Sequence, residues 1–268
     1  MSINGAADLW DRLFGAQPDP PALLVLVTVL IALVAVAVRP LWRVARNAIT
    51  IAHEGGHALV ALLTGRKLRG IRLEFDTSGL TLSAGRPSGP GMILTLLAGY
   101  IAPSLVGLGG AWILGGNRIT LLAGYVAPSL VGLGGAWILG GNRIMLLLWL
   151  AVVLLLLMLI NIRNVFGAIS VVVTGAIVFI VSWYASPQVQ AAFAYAGVWF
   201  LLIGGVRPVG ELQRLRSRGR MPDSDADQLA RLTHVPAVFW VFLFGVVSVA
   251  VLVTGTFMLA GQWLPAVN

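Results

Sequence analysis

Cysteine is absent from this 268-residue chain, and charged side chains are scarce. Without cysteine there are no disulfide bonds and no thiolate metal sites, so any bound metal must rely on histidine and carboxylate ligands. Charged residues make up only 10% of the chain, and histidine occurs three times. So few polar side chains exclude a soluble globular domain, because such a domain needs a charged, water-facing surface.

Apolar residues fill the chain instead. They account for 58% of it, and the mean hydropathy is +0.92. These values predict an all-α polytopic membrane protein embedded in a lipid bilayer. The net charge of +8 comes largely from arginines near the ends of apolar runs, which indicates membrane topology and lipid contact and argues against nucleic-acid binding. We expect an N-terminal polar segment, 1–20, and a single integral-membrane domain, 21–260.

Long apolar runs predict about seven to eight transmembrane helices. The runs are 21–38, 41–65, 95–119, 120–144, 145–160, 165–184, 191–205 and 235–259, of which 191–205 is short for a span. Two polar stretches separate them. In 66–90, apolar and polar residues alternate on both sides of a turn at 76–79, which predicts a small β-hairpin. The second polar stretch is a loop at 206–235 that carries a basic run and an acidic cluster.

The segments 95–119 and 120–144 are tandem copies of each other. They match at every position except Ile101, which aligns with Val126. Each copy has enough apolar residues for one crossing. However, the positive-inside rule places both arginine-rich polar stretches on the cytoplasmic side, which requires an even number of crossings between them. We therefore expect that one copy does not span fully, or that the two copies form a shallow or re-entrant hairpin.

The most informative motif is His53-Glu54-Gly55-Gly56-His57. Histidines at i and i+4 share one helical face and can hold one zinc ion, while Glu54 is placed to take a proton from a water molecule at the metal. Ionisable groups in an apolar helix are costly unless they are paired or bind metal. A catalytic zinc site usually has a third protein ligand. The later acidic and histidine side chains that could supply it are Asp76, Glu211, Asp223, Asp225, Asp227 and His234.

Spacing alone leaves the third ligand open. Asp76 is in the predicted turn, where aspartate is common without a function. The cluster of Asp223, Asp225 and Asp227 precedes a predicted helix, 228–233, so it is equally well explained as helix capping.

Asn161 and Asn164, at the end of an apolar helix, are candidates for orienting substrate or stabilising the tetrahedral intermediate. They are also good candidates for helix caps.

The sequence resembles the small bacterial branch of the site-2 protease family of intramembrane zinc metallopeptidases, over roughly 45–245. The motif 53–57 is the specific element, and shorter matches support it at 58–61, Arg66, 76–79, 98–100, 103–104, 163–164, Gly167, 224–226 and 229–230. The resemblance implies that His53 and His57 bind Zn²⁺, that Glu54 is the general base and that an aspartate, which we place at Asp225, completes the ligands. The Leu-Asp-Gly triplet of the wider family is absent, and the duplication is foreign to its pattern.

The sequence therefore predicts an intramembrane zinc endopeptidase that cleaves transmembrane segments of membrane proteins, located in a bacterial plasma membrane. The alternative is a non-catalytic transporter or scaffold that retains a metal site. A third possibility is a different intramembrane hydrolase with a HEGGH motif, which would need Glu211 as its third ligand.

Overall fold

The computed structural model describes residues 10–11, 13–115, 142–219 and 223–260. Within these ranges the chain forms eight named helices and one two-stranded sheet. In chain order they are α1 (Ala22–Ala37), α2 (Arg39–Leu63), β1 (Lys67–Leu73), β2 (Gly79–Ala84), α3 (Pro90–Leu114), α4 (Ile144–Asn161), α5 (Val165–Tyr184), α6 (Pro187–Arg216), α7 (Asp225–Thr233) and α8 (Ala237–Ala260). The predicted all-α membrane architecture with a small hairpin after the motif helix is confirmed.

The described residues contain five helices that are long and apolar enough to cross a membrane, namely α3, α4, α5, α6 and α8. Together, α1 and α2 are also long and apolar enough for a sixth span, but they meet at a bend of 101°. The bend lies at Val38, directly before Arg39 and Pro40, and proline fits in the first turn of a helix, where its missing N–H is not needed. The described residues therefore hold five or six candidate spans, because 21–38 and 41–65 form this bent pair. In addition, the second repeat copy lies outside the described residues apart from its last three positions.

The helix α3 carries most of the first repeat copy and is the central packing element. Its small residues allow close approach of its neighbours: a Cβ added at Gly107 would contact Leu202 at 2.9 Å, and one at Gly110 would lie 2.5 Å from Val198. On the motif helix, a Cβ at Gly56 would lie 2.3 Å from Ala102 of α3. Glycine inside a helix costs about 1 kcal/mol relative to alanine. Here the backbone contact between helices compensates for that cost, as is common in membrane bundles.

The prediction that one repeat copy does not span fully concerns mainly residues 116–141, which lie outside the described residues. Residues 113 and 143, on either side of these residues, lie close together. The backbone N–H of Arg143 donates to the carbonyl of Ile113 at 3.2 Å, so the start of α4 lies beside the end of α3.

The apolar run 191–205 is part of a much longer helix than its length predicts. The helix α6 extends over 30 residues and continues through Pro208. Its polar extension is stabilised by an ion pair one turn apart, in which Arg207 Nε donates to Glu211 Oε1 at 2.9 Å. The run is therefore part of a helix that is long and apolar enough to cross a membrane.

The hairpin is confirmed, with its two strands on either side of the predicted turn. Ile71 is paired with Thr81 and Leu73 with Gly79 in the antiparallel register. Ile71 and Leu73 are buried beneath the sheet, together with Met158 and Val171 of α4 and α5. The other edge of β1 is covered by the segment between α4 and α5, where the N–H of Arg163 donates to the carbonyl of Ile71 at 2.9 Å.

Candidate metal centre

Three side chains from two distant parts of the chain meet at one point. The helix α2 presents His53 and His57 on one face, and the start of α7 brings Asp225 against them. Asp225 Oδ2 lies 3.4 Å from His53 Nε2 and 3.3 Å from His57 Nε2. The two Nε2 atoms are 3.1 Å apart. The three potential ligand atoms therefore form a nearly equilateral triangle.

This triangle fits zinc. Ligand atoms about 2.0–2.1 Å from a tetrahedral zinc ion lie roughly 3.3 Å from one another, and all three observed separations are close to that value. Asp225 Oδ2 is buried and accepts no hydrogen bond within the described part of the chain. A buried carboxylate oxygen without a donor is costly, and a metal ion would supply the missing partner.

The surroundings fix the orientation of both imidazoles. His57 Nδ1 is 2.7 Å from the carbonyl oxygen of Thr95, so it carries the proton and leaves Nε2 free to bind a metal. The ring of His53 packs edge-on against Tyr100, with centroids 4.8 Å apart, and Tyr100 stacks on Phe244. Gly99 leaves the necessary space, because a Cβ there would lie 2.4 Å from His57 Nε2 and 2.8 Å from Asp225 Oδ2.

Glu54 lies next to His53 in the chain and is only 3% exposed. Its carboxylate faces the hairpin. Thr81 Oγ1 donates to Glu54 Oε2 at 2.6 Å. A Cβ added at Gly79 would lie 2.5 Å from Glu54 Oε1. The motif carboxylate is thus held between its own helix and β2.

The acidic cluster at the start of α7 combines metal-site geometry with helix capping. Ser224 is the N-cap residue, and its side chain accepts from the N–H of Asp227. Arg216 at the end of α6 donates to both carboxylate oxygens of Asp227, at 2.6 and 3.0 Å. Burial of Asp227 opposes its ionisation, but the bonds from Arg216 and Ser224 outweigh that effect and hold the pKa of the carboxyl below its ordinary value. These contacts fix the helix end that carries Asp225.

The pKa of Asp225 is also depressed. Burial alone would raise it, but the two imidazoles beside the carboxylate act in the opposite direction and lower the pKa well below its ordinary value. The carboxyl is therefore ionised at neutral pH, which is the form that binds a metal ion.

A comparison with protein families shows which family the chain belongs to. The model of the family described as Peptidase M50B-like matches two overlapping stretches, 26–119 and 113–255, which together span most of the chain. The chain belongs to the Peptidase M50B-like family. The resemblance to the site-2 proteases is thereby confirmed, and the protein is an integral membrane protein of a metallopeptidase family. No curated protein and no solved structure matches this chain.

The other candidate ligands of this M50B-like protein lie in separate contacts. Asp76 is exposed and accepts from Ser78 in the hairpin turn, which lowers the pKa of its carboxyl. Asp223 pairs with Arg231 on the surface, and His234 ends α7 in a left-handed conformation. Glu211 accepts from Trp42 and Arg207. Among the described His, Asp and Glu side chains, the grouping that could hold a metal consists of His53, His57 and Asp225.

The two asparagines differ in their contacts. Asn164 binds β1: its Nδ2 donates to the carbonyl of Leu73 at 2.6 Å, and its Oδ1 accepts from the N–H of Leu73 at 3.2 Å. Asn161 donates to the carbonyl of Leu157 in its own helix. These bonds give Asn164 a role in supporting the hairpin, while a role for either residue toward substrate stays a prediction.

Sequence reasoning missed several residues around the M50B-like motif. The sequence marks Thr81 and Gly79 only as hairpin positions and Arg216 only as part of a basic run. Tyr100 is part of the resemblance, but the sequence does not indicate its contact with His53. The period-two alternation of 80–83 does place Thr81 on the opposite face from Leu80 and Leu82. It does not say that this face meets Glu54, 27 residues away.

Proposed function

We propose that this protein is an intramembrane zinc endopeptidase that cleaves transmembrane segments of other membrane proteins, in a bacterial plasma membrane. The observation that supports it best is the triangle of His53, His57 and Asp225, with sides of 3.1–3.4 Å, beside the buried Glu54. Membership of a metallopeptidase family and the apolar helices around this site support the same proposal.

Each side chain has a distinct role in this proposal. His53, His57 and Asp225 would hold the ion. Bound there, zinc would act as a Lewis acid toward the scissile carbonyl and lower the pKa of water toward about 7. Glu54 takes the proton of the attacking water and passes it to the leaving amine. Thr95 keeps the His57 ring in the tautomer that directs Nε2 at the site.

The hairpin offers a place for an extended substrate. A helical peptide bond is shielded and hydrogen-bonded, so a transmembrane substrate must unwind locally before attack. Within the described residues, β2 pairs only with β1, and its other edge has no strand partner. Addition of the unwound segment to this edge would satisfy its backbone N–H and C=O groups inside the membrane. It would also bring the peptide alongside Glu54, which contacts the same strand.

The test uses purified protein in lipid vesicles with two synthetic transmembrane peptides. One peptide carries a Gly-Pro interruption in its apolar segment, and the other is a continuous Leu-Ala helix. We expect the zinc-loaded protein to cleave the interrupted peptide faster, since proline and glycine destabilise a helix. We expect Glu54→Gln to retain zinc and to lose cleavage. Mass spectrometry of the products locates the cut.

Two outcomes would contradict the proposal. Cleavage by Glu54→Gln at the wild-type rate would remove Glu54 from the chemistry. Stoichiometric zinc binding with no cleavage of either peptide would support the alternative, a transporter or scaffold that retains a metal site.

A further inference from the structure

The contact between β2 and Glu54 has no role in the metal centre itself. Thr81 Oγ1 donates to Glu54 Oε2 at 2.6 Å and lies 3.1 Å from the backbone carbonyl of Glu54. On the neighbouring inward position of the strand, Gly79 lies so close that a Cβ would come within 2.5 Å of both Cγ and Oε1 of Glu54. Two residues of one strand thus restrict a single carboxylate.

We propose that Thr81 is a positioning residue for the reaction, and that β2 selects the working orientation of Glu54 through it. This inference rests on the proposed function, in which Glu54 is the general base. A glutamate side chain has three rotatable bonds, and its terminal torsion is broad. A hydroxyl that donates to a carboxylate makes a short, charge-assisted bond that fixes one oxygen. Glu54 Oε1 then stays available for the attacking water.

The hairpin is held firmly enough to position a side chain. Thr50 Oγ1 of α2 donates to the carbonyl of Thr77 in the turn at 2.8 Å. On the far edge, Asn164 binds the backbone of Leu73, whose side chain is fully buried. A site residue is positioned well when its support is itself fixed by packing and hydrogen bonds. Here the support is fixed both to the motif helix and to the segment before α5.

The arrangement also connects the substrate edge to the base. Leu80 and Leu82 of β2 are exposed, while Thr81 between them points to Glu54. A peptide that pairs with the open edge of β2 would therefore lie on the same strand that orients the base. Misplacement of a reacting group by about 1 Å can cost roughly 100-fold in rate, so loss of the Thr81 hydroxyl should affect turnover.

The experiment compares Thr81→Val with Thr81→Ser. Valine matches the shape of threonine and suits a strand but lacks the hydroxyl, whereas serine keeps it. With the interrupted transmembrane peptide as substrate, we expect Thr81→Val to lower kcat by about 10- to 100-fold with KM unchanged. Thr81→Ser should stay within about 3-fold of wild type, because it keeps the donor. Zinc content and zinc affinity should equal wild type in both variants, because Thr81 contacts none of the three ligands.

Two further variants sharpen the result. Ser83→Ala removes a hydroxyl from the same strand that accepts from Arg66, so kcat should not change. Gly79→Ala adds a methyl group against Glu54 and should lower kcat while zinc stays bound.

Full activity of Thr81→Val would overturn the inference. Parallel loss of zinc and activity in Thr81→Val would also overturn it, because that result indicates a structural role. Glu54→Gln separates the two proposals: if it remains active, the proposed function fails, whereas an inactive Glu54→Gln beside a fully active Thr81→Val refutes only the role of Thr81.

Discussion

At the residue scale, the proposed metal centre depends on space that glycine leaves free. Gly99 allows α3 to approach the imidazole of His57 and the carboxylate of Asp225, and Gly79 allows β2 to approach Glu54. Neither glycine offers a functional group. Each is required because the atoms that do the chemistry occupy the position of its missing Cβ.

Gly99→Ala should therefore weaken metal binding. The added methyl group would lie 2.4 Å from His57 Nε2, so the ring or α3 must move. Disturbing the support of a metal ligand typically costs 10- to 100-fold in metal affinity, and we expect a loss of at least about that size. Zinc content by mass spectrometry and zinc affinity by competition with a chelator measure it.

Gly109→Ala is the matched control for this change. It lies on the same helix, and no described residue of another element comes within 4 Å of the added Cβ. Helix propensity favours alanine over glycine by about 1 kcal/mol at both positions. If both variants bind zinc as wild type does, the packing of α3 against the imidazole is not what positions His57.

Sequence reasoning worked well for residues whose relation is local. The proximity of His53 and His57 follows from helical spacing alone, because four residues make about one turn. Asp225 lies 168 positions after His57. Spacing alone does not distinguish a metal ligand from a helix-capping residue at this position, and only the family resemblance points to a ligand. The structure accommodates both interpretations of the acidic cluster, helix capping and metal binding, since Ser224 caps the helix while Asp225 faces the imidazoles.

At the element scale, the short helix α7 delivers one of the three proposed ligand atoms, so its placement matters more than its length. Its nine residues bury Ala226 and Leu229 against α3 and α8. Its first turn is tied to α6 by Arg216 and Asp227. Because Arg216 and Asp227 are 11 residues apart and a polar loop lies between them, the sequence alone could not pair them.

Loss of this ion pair should weaken metal binding without removing a ligand. We expect Arg216→Gln to lower zinc affinity about tenfold, since it frees the end of α7 that carries Asp225. Arg214→Gln is the control: Arg214 is exposed on the same helix two positions earlier. Titration with zinc in the presence of a competing chelator compares them, and equal affinities would contradict a positioning role for the pair.

The hairpin depends in a similar way on Asn164. Asn164→Ala would leave the N–H and C=O of buried Leu73 without these bonds, and each unsatisfied buried group costs about 1–3 kcal/mol. We expect the free energy of unfolding to fall by that order, together with proteolytic activity. Asn161→Ala, which removes one bond within its own helix, should change stability by less than about 0.5 kcal/mol. Denaturation in detergent followed by tryptophan fluorescence measures both, and equal effects would contradict the hairpin-support role of Asn164.

At the scale of the whole molecule, the described residues form a consistent bundle around a single repeat copy. Most of the first copy lies in α3, where Thr95, Gly99 and Tyr100 contact the motif histidines. The second copy has the same residues at all three positions. Sequence analysis predicted the apolar runs well because hydropathy is a local property. The number of spans depends also on bends such as that at Val38, which change the count without changing the composition.

Excision of residues 117–141 should therefore leave the metal centre intact. The excision removes 25 residues and joins Gly116 to Asn142, which restores the Gly-Gly-Asn-Arg sequence that ends each copy. The junction is short enough to close, because the N–H of Arg143 already donates to the carbonyl of Ile113. Every contact of His53, His57 and Asp225 described above is made by residues that remain. We expect the shortened chain to insert into membranes, to bind one zinc ion with wild-type affinity and to cleave the interrupted peptide. Loss of zinc binding on excision, with Glu54→Gln in the full-length chain still binding zinc, would mean that the second copy contributes to the site.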